Sequence, residues 1–189
     1  MCAQSFVESI PPHSPSSKGR CILHMNPVVG FVWRPLCVKG QTLLTWIEQS
    51  IYAAGGQHIP AAWADFADST GIGAILHLSS KGPEPFLGPP PRRFLWLMVE
   101  EEKLAGMDDR RSAAEFIKAS LAAGEKVLLH SAKGRHRTRW AYVAYGLYVG
   151  RRLSRVLREA AEKPWLAPYH TDRDIWNAFQ ECVRAARSS

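Results

Sequence analysis

No uninterrupted apolar stretch of this 189-residue chain is long enough to cross a bilayer, which takes about 20 residues in a helix. The N-terminus also lacks the apolar core of a secretory signal, so a cytoplasmic protein without integral membrane contact is expected. Cysteine is scarce and badly spaced for a structural role: Cys2, Cys21, Cys37 and Cys182 are scattered and form no CxxC pair. That pattern argues against a zinc site or a disulfide framework and for a reducing compartment. No metal and no organic cofactor is implied. Acidic charge is in deficit, with 24 Lys and Arg against 17 Asp and Glu and a formal net charge of +7. Phosphoesters, nucleic acid and anionic membrane surfaces are all favoured partners on that ground, and charge alone does not choose among them.

What the chain does have is concentrated in residues 127–138. Val127-Leu128-Leu129 reads as a buried strand, a polar loop with one glycine follows, and a helical pattern opens at about Thr138. Strand, tight loop and helix N-terminus together gather backbone N–H groups around an anion. Lys133, Arg135, His136 and Arg137 add side-chain charge. Crowded cations repel one another, and a bound oxyanion relieves that repulsion. A merely polar βα turn is the plainer alternative, and the density of charge in so short a loop weighs against it.

The stretch His130-Ser131-Ala132-Lys133-Gly134-Arg135-His136-Arg137-Thr138 resembles the His-Cys-x5-Arg-Thr/Ser signature of the cysteine-dependent protein tyrosine and dual-specificity phosphatases. His130, Gly134, Arg137 and Thr138 stand where that pattern has its fixed residues, while Ser131 replaces the nucleophilic cysteine. The resemblance implies a phosphate cradle over residues 131–137, formed by Ser131, Ala132, Lys133, Gly134, Arg135, His136 and Arg137. Arg137 would grip two phosphoryl oxygens, His130 would orient the loop, and Thr138 would assist hydrolysis of a covalent intermediate. A carboxylic acid on a neighbouring loop would protonate the leaving oxygen. Counting from the apolar run Phe94–Val99 puts that acid at Glu101, with Glu102 and Asp108 as rivals. An acidic loop that merely balances a basic one is the bland alternative.

The substitution at 131 decides how much chemistry remains. A thiol has a pKa of about 8.5, which falls beside cations and a helix N-terminus until the thiolate is the resting form. A hydroxyl is a far weaker acid and relies on an adjacent general base. His130 is next in sequence, but neighbouring strand residues point to opposite faces. The chain as it stands is therefore expected to bind phosphate and to hydrolyse it very poorly. Ser131 is either an engineered Cys→Ser trap in a phosphatase or the natural residue of a pseudophosphatase that reads phospho-ligands. The expected partner is a phosphorylated substrate, protein or otherwise. Lys133, Arg135 and His136 suit a multiply charged ester, such as a phosphoinositide or an RNA 5′-phosphate. Nucleic-acid binding through net charge ranks last, because no recognised nucleic-acid motif accompanies the basic loop.

The remainder of the chain frames this loop. Residues 1–20 are rich in Ser and Pro and read as a tail. Residues 21–45 read as extended segments with turns, and residues 46–189 as the phosphatase-like domain. Within that domain one strand is expected over 46–54 and a helix over 60–69, stopped by Gly71. A strand follows at 74–78, where His77 reads as an ordinary strand residue. Another strand is expected at 94–99 and a helix at 112–122. After the loop come a helix carrying Trp140, Val143, Ala144, Leu147 and Tyr148 on one face, and another over 151–162 bearing Arg155–Glu159 and Arg158–Glu162 pairs. A last helix is capped by Thr171 with Asp174 and buries Ile175, Phe179, Cys182, Val183 and Ala186. Alternating strands and helices predict an α/β fold with a central, mostly parallel sheet flanked by helices, as the phosphatase resemblance also implies.

Overall fold

The computed structural model describes residues 36–38, 42–56, 59–163, 166 and 173–188. The expectations for residues 1–35 and for the Thr171 cap lie outside the described residues. Among these residues six strands form one mixed sheet in the order β1-β2-β3-β6-β4-β5. Strands β1 (Leu36–Val38), β2 (Thr42–Glu48) and β3 (Ile51–Gly55) run antiparallel. Strands β3, β6 (Lys126–Ser131), β4 (Ile72–Leu78) and β5 (Arg93–Leu97) are parallel. The sheet thus begins before Trp46, and residues 46–54 belong to two strands rather than one. The chain reverses at Gln49, whose φ of 45° suits a tight hairpin.

Helices cover both faces of the sheet, which is what a parallel sheet requires. Strand β4 is buried at every position and β6 at all but its first. Helix α1 (Trp63–Thr70) lies on one face, where Trp63 and Phe66 pack with Ile75 and Leu128. Gly71, at φ 71°, closes that helix by donating its N–H to Ala67 O. Helices α2 (Met107–Ala122), α3 (His136–Tyr148), α4 (Leu153–Ala161) and α5 (Arg173–Ser188) contribute to the larger core on the other face. Helix α2 starts five residues before the apolar pattern does. Its polar first turn is stabilised by Asp108 and Asp109 near the positive end of the helix, and Asp109 also accepts the Gly106 N–H at 2.8 Å.

Helix α3 is the central one, buried at every residue from Thr138 to Leu147 rather than along a single face. On α5 the buried stripe is Trp176, Phe179 and Val183. The expected Ile175 and Cys182 are only half-buried and Ala186 is exposed. The helix is therefore turned by about one residue from the expected face. Cys182 Sγ accepts a hydrogen bond from Arg111 at 3.2 Å, on the edge of the interface. A charged network ties β2 to the helical layer: Glu48 accepts hydrogen bonds from Arg151 at 2.7 and 2.9 Å and from the Tyr142 hydroxyl at 2.8 Å. Burial and the Glu48 charge push the Tyr142 hydroxyl well above its ordinary pKa, so Tyr142 stays the donor.

The loop after β6 leaves the C-terminal edge of the parallel strands and folds back over the end of β3. The Gly56 N–H is shared between the Ser131 and Ala132 carbonyls at 3.3 and 3.1 Å. Two glycines make this possible. A Cβ on Gly55 would stand 2.6 Å from the Lys133 carbonyl carbon. A Cβ on Gly134, which also has φ of 62°, would stand 2.5 Å from the Gly55 nitrogen. Both contacts are with backbone, which has little freedom to retreat. Gly55→Ala is expected to lower stability by about 1–3 kcal/mol, measured by denaturant unfolding, and to displace the loop rather than the rest of the sheet.

Candidate phosphate-binding site

The loop sits between the end of β6 and the start of α3, with β3 and β4 on either side of β6. This is the crevice at the carboxyl ends of parallel strands where α/β folds receive ligands. Ser131, the last residue of β6, is buried, with 2% exposure. Its Oγ accepts the Gly134 N–H at 3.1 Å, and its carbonyl accepts the same N–H at 3.1 Å. The loop is therefore wrapped around the side chain at position 131, with a backbone donor already directed at it.

Ala132, Lys133, Arg135 and His136 are exposed on the rim of the loop. Arg137 is half-buried at the start of α3 and donates to the Val99 carbonyl at 3.0 Å. Burial lowers its pKa from the usual arginine value, while Glu100 and Glu102 push it back up. An arginine tolerates such a shift and remains charged. Thr138 is fully buried, and its hydroxyl donates to the Arg135 carbonyl at 2.9 Å. That bond braces the first turn of α3.

The three carboxylates singled out after β5 separate by environment. Glu101 is exposed and pairs with Lys103 at 2.8 Å. Glu102, on a short 3-10 turn Glu102–Leu104, is buried to 8% exposure and acts on the charge of Arg137. Asp108 is exposed in the first turn of α2. Glu100, which the sequence reading passed over, also acts on Arg137. Among the described residues no group of three His, Cys, Asp or Glu side chains is disposed to hold a metal ion.

His130 is fully buried, and its Nδ1 lies 2.9 Å from Nδ1 of His77. Ladder register alone brings them together, since His77 and His130 are Cα partners in the parallel pair β4–β6. Side chains alternate along β6, so His130 shares a face with Leu128, while Ser131 turns toward the helical layer with Leu129. The imidazole is thus on the opposite side of the strand from the hydroxyl.

No protein-family model matches the sequence, and no curated protein matches it either. Solved structures do. Human DUSP28 matches 76% of this chain and 99% of its own, at a TM-score of 0.61 and 17% identity. PTPMT1 in complex with PI(5)P matches 77% of this chain and 99% of its own, at a TM-score of 0.62 and 14% identity. The human tyrosine phosphatase-like serine/threonine/tyrosine-interacting protein matches 77% and 98%, at a TM-score of 0.59 and 16% identity. The chain has the dual-specificity phosphatase fold. The signature loop occupies the βα turn of that fold, and no helix among the described residues is long and apolar enough to cross a membrane.

Burial, followed by the nearby positive charge of Arg137, lowers the His77 pKa from 6.5 to about 4. The unfolded chain therefore takes up a proton at a higher pH than the folded one. The stability owed to neutral His77 is complete above pH 6.5 and is lost progressively as the pH falls toward about 4. Unfolding curves across that window are expected to show this decline, and His77→Asn is expected to flatten it.

Proposed function

We propose that residues 131–137 cradle a phosphomonoester in the manner of the dual-specificity phosphatases, and that with serine at 131 the chain binds such esters with little turnover. The observation that carries this reading is the loop geometry: the Gly134 N–H is directed at the side chain of position 131 inside a loop closed by a pre-anchored Arg137. One guanidinium nitrogen is committed to the Val99 carbonyl, which orients the rest of the fork for two phosphoryl oxygens.

With cysteine at 131, a thiolate would attack phosphorus and displace the alcohol, forming a phosphocysteine that water then hydrolyses. Glu101 is our candidate for the acid that protonates the leaving oxygen, since its carboxyl is exposed on the loop after β5. Glu102, buried and acting on Arg137, suits the steadier task of balancing that guanidinium. Thr138 is our candidate to assist the hydrolytic step. With serine, the same donors surround a hydroxyl that stays protonated at neutral pH, and the adjacent imidazole of His130 lies on the other face of the strand.

The exposed Lys133, Arg135 and His136 favour an ester with more than one negative group, phosphoinositides and RNA 5′-phosphates included. A structural neighbour bound to a phosphoinositide supports that class. The serine itself favours a second reading, a phospho-ligand reader that never completes catalysis. An engineered trap and a natural pseudophosphatase predict the same chain and differ in what the native gene encodes at 131.

Activity on a small aryl phosphate distinguishes a complete scaffold from a reader. Ser131→Cys is expected to raise turnover from background to a measurable rate. Adding Arg137→Ala to it should lower that rate by at least about a hundredfold, as loss of a charge-stabilising donor does elsewhere. A silent Ser131→Cys variant that still binds phosphate would instead establish the reader. In the active background, Glu101→Gln should lower kcat more than Glu102→Gln does, with the alkaline side of the kcat profile flattened only by the former.

A further inference from the structure

Two imidazoles meet beneath the cradle, and one of them has no counterpart in the signature by which the cradle was read. His77 and His130 are buried to 2% and 0% exposure, with ring centroids 5.0 Å apart and planes at 33°. Their Nδ1 atoms are 2.9 Å apart, so one nitrogen donates a proton and the other accepts it. A backbone hydrogen bond at Lys81 favours the protonated form of His77. A neutral His77 that donates there keeps its Nδ1 lone pair for His130, whose Nδ1 would then carry the shared proton.

The pair lies on the face of the sheet that also buries Ile75, Leu128, Trp63 and Phe66. Polar rings in such a layer cost desolvation that a pair of leucines would not. The compensation is directional: a hydrogen bond between rings holds each at one angle, which apolar packing does less strictly. His130 is joined by one peptide to Ser131, where the cradle begins. We propose that His77 is a positioning residue for the phosphate cradle, which accepts the Nδ1 proton of His130, fixes that ring, and so sets the Ser131 amide and hydroxyl in place. The inference rests on the cradle reading above. His77 touches no ligand itself; it acts through His130. Among the described residues, Arg137 is the charged side chain acting on His77, so a dianion gripped by Arg137 changes the field at the imidazole pair.

The test uses inorganic phosphate as the probe, with the unmodified chain, His77→Leu and His77→Asn. Affinity is measured by calorimetry, and ring protonation by long-range 1H–15N spectra at pH 7. In the unmodified chain His130 is expected to be protonated at Nδ1 and His77 at Nε2, and both sets of ring signals should shift as phosphate saturates. His77→Leu removes the acceptor and should weaken phosphate binding about tenfold or more, whereas His77→Asn retains an acceptor and should stay within about threefold. Rescue by asparagine is what a merely space-filling role would not give. Equal phosphate affinity in His77→Leu and the unmodified chain overturns this inference and leaves the cradle reading intact. Should His77→Leu not fold, ring signals of the unmodified chain that stay still through saturation overturn it equally. An unmodified chain that binds no phosphate overturns the cradle reading, and this inference with it.

Discussion

Two backbones approach each other where the end of β3 meets the loop after β6, and the site depends on that approach. Gly55 and Gly134 leave no room for side chains between them, and Gly56 donates into the root of the loop. A loop held this way cannot spread outward to relieve the repulsion among Lys133, Arg135 and Arg137. It stays folded over the side chain of residue 131 with its donors turned inward. The exposed rim keeps its cations in water, where screening limits their mutual cost. Arg137 is drawn partly out of solvent, where it donates to the Val99 carbonyl and Glu100 and Glu102 act on its charge.

That arrangement is suited to negative charge at its centre, whether on a side chain or on a ligand. A thiolate at 131 would satisfy the Gly134 N–H with an anion and be stabilised by the start of α3. The serine hydroxyl accepts the same N–H while neutral, so it brings no negative charge of its own to the loop. On the reading proposed above, serine at 131 forgoes the thiolate nucleophile and keeps the backbone donors that would hold an oxyanion, so binding and turnover would part at a single atom.

The signature loop was legible in the sequence because its residues are local: strand, glycine and helix start fall within twelve consecutive positions. The alternation of strands and helices after residue 60 was legible for the same reason, since 2- and 3.6-residue periods are short-range signals. The hairpin inside 46–54 was not, because Gln49 takes a left-handed φ without the glycine or asparagine that usually announces such a turn. The early start of α2 was hidden by Asp108, Asp109, Arg110 and Arg111, which supply cap and charge but no apolar stripe. The His77–His130 pair was missed because it belongs to register, not to sequence spacing. Its trace is visible in retrospect: Ile75-Leu76-His77 and Leu128-Leu129-His130 end two apolar runs alike, and parallel neighbours in matching register bring such ends together.

Strand alternation at the end of β6 also turns the nearest imidazole away from the serine hydroxyl. His130 and Ser131 are adjacent in sequence yet face opposite layers, the first toward α1 and the second toward α3. A base for the hydroxyl would have to come from the helical layer or the rim. Thr138 is occupied by the Arg135 carbonyl, and the Arg137 guanidinium, with its pKa far above neutrality, cannot accept a proton. His136 is exposed on the rim beside Arg135. The imidazole best buried in this region is the one the strand has turned away. Paired with His77, it can act on position 131 through the backbone that joins them and not through its ring, which leaves the chemistry there to whichever atom stands at that position.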